Sequence, residues 1–172
     1  VDKQNRLIGR NSQFPMVTET VEVIQAELAK IGLNVKIEMM DTAAQLQYQL
    51  RPFPPDAGPY IVLIQHGNQA GDAAFSVDQY MRSDGAQSAF GTPAFDKQIE
   101  AAGELTGRQR QDAYAKVFAD EPNEVGQFAY IAHMTGVLAK SPRVDYQPDS
   151  ATGDEMRLSQ MTFAATDRTD KQ

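Results

Sequence analysis

Leu33-Asn34-Val35-Lys36-Ile37-Glu38-Met39 changes the period of the chain, putting Leu33, Val35, Ile37 and Met39 on one side of an extended backbone. The residues just before it keep a different rhythm. Val21, Ile24, Leu28 and Ile31 fall at i, i+3, i+7 and i+10, the spacing of one helix face. The switch at Gly32 therefore reads as a helix feeding a strand. Thr18 is the expected N-cap and Glu19 complements the positive end of the helix dipole. Lys30 and Gly32 supply a cation in the last turn and a residue free to adopt positive φ.

Working outward, Leu7-Ile8-Gly9 is a short apolar run that enters the polar, proline-containing segment Arg10-Asn11-Ser12-Gln13-Phe14-Pro15, as a strand enters a loop. Downstream, Asp41 is placed to cap a second helix carrying Leu46 and Leu50. The prolines of Arg51 to Gly58 stop it, because they cannot continue the hydrogen-bond ladder. Tyr60-Ile61-Val62-Leu63-Ile64 then reads as a central strand covered on both faces. Strand, helix, strand, helix, strand over residues 5 to 65 predicts an α/β unit with a parallel sheet and right-handed crossovers. Open sheets of this kind hold ligands beyond the carboxyl ends of their strands, where strand order reverses. Here those ends are Arg10 to Pro15 and Gln65 to Asp72.

From residue 73 the pattern turns mainly helical. Thr92-Pro93 sets a capping hydroxyl before a proline at the first helical position, and Phe95, Ile99 and Ala102 share a face. Thr106 with Gln109 resembles a capping box opening a helix that turns Ala113, Tyr114, Val117 and Phe118 inward and ends at Asp120-Glu121-Pro122. Phe128 to Leu138 is apolar enough for one or two buried strands, which would bury His133, and Met156 to Phe163 alternates like another. Ser141 to Asp154 reads as a crossing loop and Thr166 to Gln172 as a polar tail.

The 172 residues suit one compact domain or one lobe of a larger protein. Net charge −7 argues against nucleic acid or an anionic membrane surface as partner. No stretch approaches the roughly 20 apolar residues of a membrane span. The absence of cysteine removes thiol chemistry and disulfides. No nucleophile elbow, phosphate loop, dinucleotide fingerprint or zinc-protease motif is present, so the reading includes no catalytic residue, metal or cofactor. His66 stands just past the apolar run, where a side chain either enters the switch-point crevice or ties down a neighbouring loop. Asp72 either anchors a ligand amine or caps the helix that starts at Ala73, the commoner role.

Taken in order, five segments resemble the C-terminal lobe of the solute-binding proteins that feed ABC importers for peptides, nickel and opines (family 5). Ser12-Gln13-Phe14-Pro15 precedes a helix, and Ile24 to Glu38 is similar to its "A-x-L-x-K-I-G-x-x-V" helix and strand. Gly91 to Ala102 is similar to "S/T-x-P-x-F-D-x-x-I-x-x-A". Arg108 to Asp120 with Glu121-Pro122 resembles its tyrosine-bearing helix, and Met156 to Phe163 resembles its closing strand. The resemblance runs from about residue 6 to 164.

It implies a periplasmic-binding-protein-like lobe over residues 1–172, a mostly parallel sheet flanked by helices with a helical second half. Family members are longer, so the expectation is one lobe of a two-lobed binder, with 144–165 returning toward the other lobe as its least stably packed region and 166–172 as tail. A leader peptide would precede the missing part. The implied role is extracytoplasmic and not enzymatic: a peptide or peptide-like solute, opine-like compound or metal chelate is held between lobes and passed to ABC permease subunits. The protein would be periplasmic, or lipid-anchored in a single-membrane bacterium. Expected ligand contacts are Ser12, Gln13, Phe14, Gln65, His66, Asn68, Gln69 and Asp72. Where peptide binders carry the first aspartate of a "G-D-x-G-D-P" pattern, this chain has Gln69, and a neutral amide lacks charge assistance toward an ammonium.

Two other classes fit parts of the pattern. A flavodoxin-like or receiver-like signalling domain needs an acidic cluster after the first strand, where this chain reads Arg10-Asn11-Ser12-Gln13. An enzyme pairing His66 with Asp72 or Glu38 needs those groups within hydrogen-bond reach.

Overall fold

The computed structural model describes residues 5–149, 152 and 156–164. Three parallel strands, β1 (Asn5–Arg10), β2 (Val35–Met40) and β3 (Tyr60–Val62), alternate with α1 (Val17–Lys30) and α2 (Thr42–Gln49). Their order is β2-β1-β3. The chain thus steps to one side of β1 through α1 and back past it through α2. Right-handed crossovers in opposite directions put the two helices on opposite faces of the sheet. The residues of β1 match that geometry. Leu7 packs with Val17 and Val21 of α1, whereas its neighbour Ile8, also fully buried, faces the other way.

This order corrects one expectation. The strand flanked on both sides is β1, not the Tyr60–Ile64 run, which pairs over three residues only and leaves Ile61 41% exposed among the described residues. An unbroken apolar run signals burial on both faces of a strand but not its position across the sheet.

The start of α1 also differs. Met16, in the left-handed region at φ 62°, takes the N-cap position without a side-chain cap, and Thr18 lies inside the helix. The early start brings Val17 to 5% exposure. Burying a valine, worth about 1.5–3 kcal/mol, outweighs a hydroxyl cap worth about 1 kcal/mol. At the other end Gly32, at φ 82°, completes a Schellman turn. Its N–H donates to Ala29 O (3.0 Å) and the Leu33 N–H to Leu28 O (3.0 Å). Ile31, expected on the inner face, is rotated out to 78% exposure, and Leu33 packs against the core instead.

The second half is helical, with α3 (Ala73–Tyr80), α4 (Pro93–Gly103) and α5 (Gly107–Glu124). Thr92 accepts from the Phe95 N–H (3.1 Å) with Pro93 at the first helical position. Phe95, Ile99 and Ala102 of α4 meet Tyr114 and Val117 of α5 and Val77 and Tyr80 of α3 in a second core. α5 runs through Pro122 to Glu124 instead of stopping at residues 120–122. A proline in the last turn forfeits one hydrogen bond, and the Val125 and Gly126 N–H groups still close on Glu121 O. Phe118, expected inside, is 36% exposed.

Residues 128–138 form no strand. Tyr130, Ile131, Met134 and Val137 are exposed, and so is His133, which is not the buried histidine expected. Without a neighbouring strand to complete its backbone hydrogen bonds, an apolar run has no sheet to join. Met156 to Phe163 likewise divides into a short 3-10 turn, Leu158–Gln160, and a two-residue strand β5 (Thr162–Phe163) antiparallel to β4 (Val144–Asp145). The tail expected at 166–172 lies outside the described residues.

Candidate functional site

The parallel register decides what meets at the carboxyl end of the sheet. β1 and β3 are adjacent, Ile8 opposite Val62, and the Leu63 N–H donates to Ile8 O (2.8 Å). The chains leaving β1 and β3 therefore leave side by side. The crossover direction reverses between these two strands, so the segments after Arg10 and after Leu63 flank the switch point.

After β1, the Asn11 N–H donates to Met40 O (2.8 Å) and the Gln13 N–H to Arg10 O (3.3 Å), which turns the chain at once. Ser12, at φ 58°, is exposed. Phe14 packs on the sheet core and anchors the loop. Between them Gln13 holds its side-chain oxygen buried with no hydrogen-bond partner, an acceptor of the kind that a ligand or water satisfies.

After β3, Gln65, His66 and Gln69 are exposed. The His66 ring lies 4.5 Å from Tyr80 and stacks near Phe75 (5.9 Å, 19°), with Nε2 2.7 Å from Ser76 Oγ. The imidazole is thus oriented by α3. Asn68 closes the loop, its Oδ1 accepting from the Asp72 N–H (3.3 Å) and its carbonyl from the Gly71 N–H (3.0 Å). Asp72 caps α3 through the Ala74 N–H (2.8 Å) and accepts from Arg110 Nη2 (2.7 Å). The Arg110 hydrogen bond, then the Ala74 N–H, hold its carboxyl below the usual carboxylate range.

Of the expected contacts, then, Ser12, Gln65, His66 and Gln69 are exposed at this end of the sheet, Gln13 is half-buried there, and Phe14, Asn68 and Asp72 also hold the loops in shape. Glu38, a possible acid/base partner of His66, is instead bound by Arg6 Nε and Nη2 (3.0 and 2.5 Å). Among the described residues no group of three or more His, Cys, Asp or Glu side chains could hold a metal ion, and no helix is long and apolar enough to cross a membrane. Arg110 and Tyr80 were not legible as parts of this site. Arg110 lies 38 positions from Asp72 and carries no local mark of that pairing.

No protein-family model matches the chain, and no curated protein matches it. Among solved structures, the ABC transporter substrate-binding protein from Sinorhizobium meliloti aligns with a TM-score of 0.57 and 20% identity, over 93% of this chain and 32% of that one. The fold is that of a periplasmic-binding-protein-like lobe. The lobe spans about a third of that neighbour's length. A second structure, the periplasmic EDTA-binding protein EppA, aligns with a TM-score of 0.48 and 18% identity, over 69% of this chain and 21% of that one.

Proposed function

We propose that this chain is one lobe of the extracytoplasmic solute-binding component of an ABC importer, and that it holds a peptide or peptide-like solute against a second lobe. What supports the reading most is the exit of the loops after β1 and β3 side by side at the switch point, in a fold shared over 93% of the chain with a substrate-binding protein. Ser12, Gln13, Gln65, His66, Asn68 and Gln69 supply amide, hydroxyl and imidazole groups suited to hydrogen-bonding an amide-rich solute. The wall is one-sided, so affinity comes from closure of the second lobe by hinge motion. The protein works outside the cytoplasm, periplasmic or lipid-anchored, hands its solute to permease subunits and performs no chemistry of its own. The five sequence segments point to the peptide, nickel and opine class.

A thermal-shift screen of the full-length protein against peptides, opines and nickel chelates tests this. A true ligand raises the melting temperature with the logarithm of its concentration. The isolated lobe binds the same ligand weakly or not at all. A panel without any concentration-dependent shift, or tight binding by the lobe alone, counts against the proposal.

A further inference from the structure

We propose that Ser76 and Tyr80, on α3, are positioning residues for solute capture, holding the His66 imidazole in one orientation at the crevice; the inference rests on the solute-binding reading above and adds to it two residues that act through His66. The histidine is exposed, on a stretch, residues 63–72, that forms no helix or strand. A side chain on such a loop samples several rotamers, and ordering it at the moment of binding lowers affinity. Ordering it beforehand, within the folded protein, removes that loss.

The imidazole is restrained in two ways. Phe75 (5.9 Å between ring centres, 19°) and Tyr80 (4.5 Å, 58°) set its plane, and Ser76 Oγ, 2.7 Å from Nε2, sets its rotation within that plane. All three residues belong to α3, and that helix is pinned at both ends. At its start, Asp72 accepts from Arg110 Nη2 of α5 (2.7 Å). At its end, the Tyr80 carbonyl accepts from Gln127 Nε2 (3.1 Å), a donor of the kind that last-turn carbonyls lack within their own helix. Tyr80 is 8% exposed and its ring also meets Phe128 edge-on (6.3 Å, 65°), so it is core on one side and a wall for the imidazole on the other. The loop thus sets where His66 stands, and the helical half sets which way it faces.

The test uses the full-length protein. Equilibrium dialysis against a random tripeptide pool, read by mass spectrometry, selects the best-retained peptide, and its Kd is then measured for each variant. Ser76→Ala and Tyr80→Leu are each expected to weaken binding about three- to tenfold, and neither loss is expected in a His66→Ala background. Ser76→Thr, which keeps a hydroxyl, should recover most of the affinity. The ring-nitrogen resonances of His66 should shift in Ser76→Ala and return toward their wild-type positions in Ser76→Thr. Melting curves show which variants are folded; if Tyr80→Leu is not, the Ser76 series decides. Losses of the same size with and without His66, a folded Ser76→Ala that binds like the wild type, or a His66→Ala that does, overturn the inference while leaving solute binding intact. If no peptide is retained, the peptide-like reading fails and the resonances decide: moved in Ser76→Ala they support the inference, unmoved they overturn it.

Discussion

Leu63 and Ile64, adjacent in sequence, serve two different cores. Leu63, 8% exposed, packs with Leu7, Val17 and Val21 under α1, and Ile64 packs on the Val77–Tyr80–Phe95 cluster of the helical half. Opposite side-chain directions at successive extended residues make one peptide unit the joint between the sheet and the helices. The candidate loop begins at the next residue. Leu63→Ala is therefore expected to cost about 2–5 kcal/mol and to lower the stability of both halves together. Urea unfolding followed by near-UV and far-UV circular dichroism checks this; a helical half that keeps its midpoint would refute the coupling.

Gly9 lets α1 approach the sheet. A Cβ there would meet Met39 Sδ at 2.7 Å and Val21 Cγ2 at 3.0 Å. The methionine is flexible and can give way, whereas the valine is held by its helix. Gly9→Ala should lower stability by about 1–3 kcal/mol as an overpacked site, and Met39→Ala in the same chain should recover part of the loss. The melting temperatures of the single and double variants decide.

Glu121 is fully buried at the end of α5, accepting from the Gln127 N–H (3.0 Å) and the Tyr130 hydroxyl (3.2 Å). Gln127 in turn donates to Tyr80 O (3.1 Å) and accepts from the Ala89 N–H (3.0 Å), so the carboxylate fixes a residue that ties the α3–α4 connection to the chain after α5. Glu121→Ala leaves the part-buried Gln127 N–H unpaired and is expected to cost about 1–3 kcal/mol. Glu121→Gln keeps one acceptor and should cost less. Equal losses in chemical denaturation would show that the hydrogen bonds are not what matters.

Arg6 holds Glu38 below the ordinary glutamate value, through the hydrogen bond first. A carboxylate with a depressed folded pKa stabilises the fold above its unfolded pKa and loses that contribution as pH falls through the folded one. Stability should therefore decline below about pH 4.3, and Glu38→Gln should make the acid limb shallower while leaving the slope near neutral pH alone. Urea midpoints across the acid range measure it; an unchanged limb would rule Glu38 out as a contributor.

Local chemistry was enough for much of this protein. The period change at Gly32, the Asp41 and Thr92 caps and the glycine after α1 each act through residues within a few positions, so alternation of strand and helix and the parallel sheet could be read from the chain, whereas the lobe-like class came from the resemblance of the five segments. Whatever depended on distant partners could not. Which strand is central followed from crossover direction, and Met16 displaced Thr18 as cap because Val17 had a core to enter. Residues 128–138 stayed out of a sheet because no strand lies beside them among the described residues. At the site, the sequence pointed to the His66 loop, but the hydrogen bond from Arg110 to Asp72 joins residues 38 positions apart. Only the packing of α3 against α5 brings that guanidinium and carboxylate together, since hydrogen bonds and burial are decided by separation in space and not along the chain.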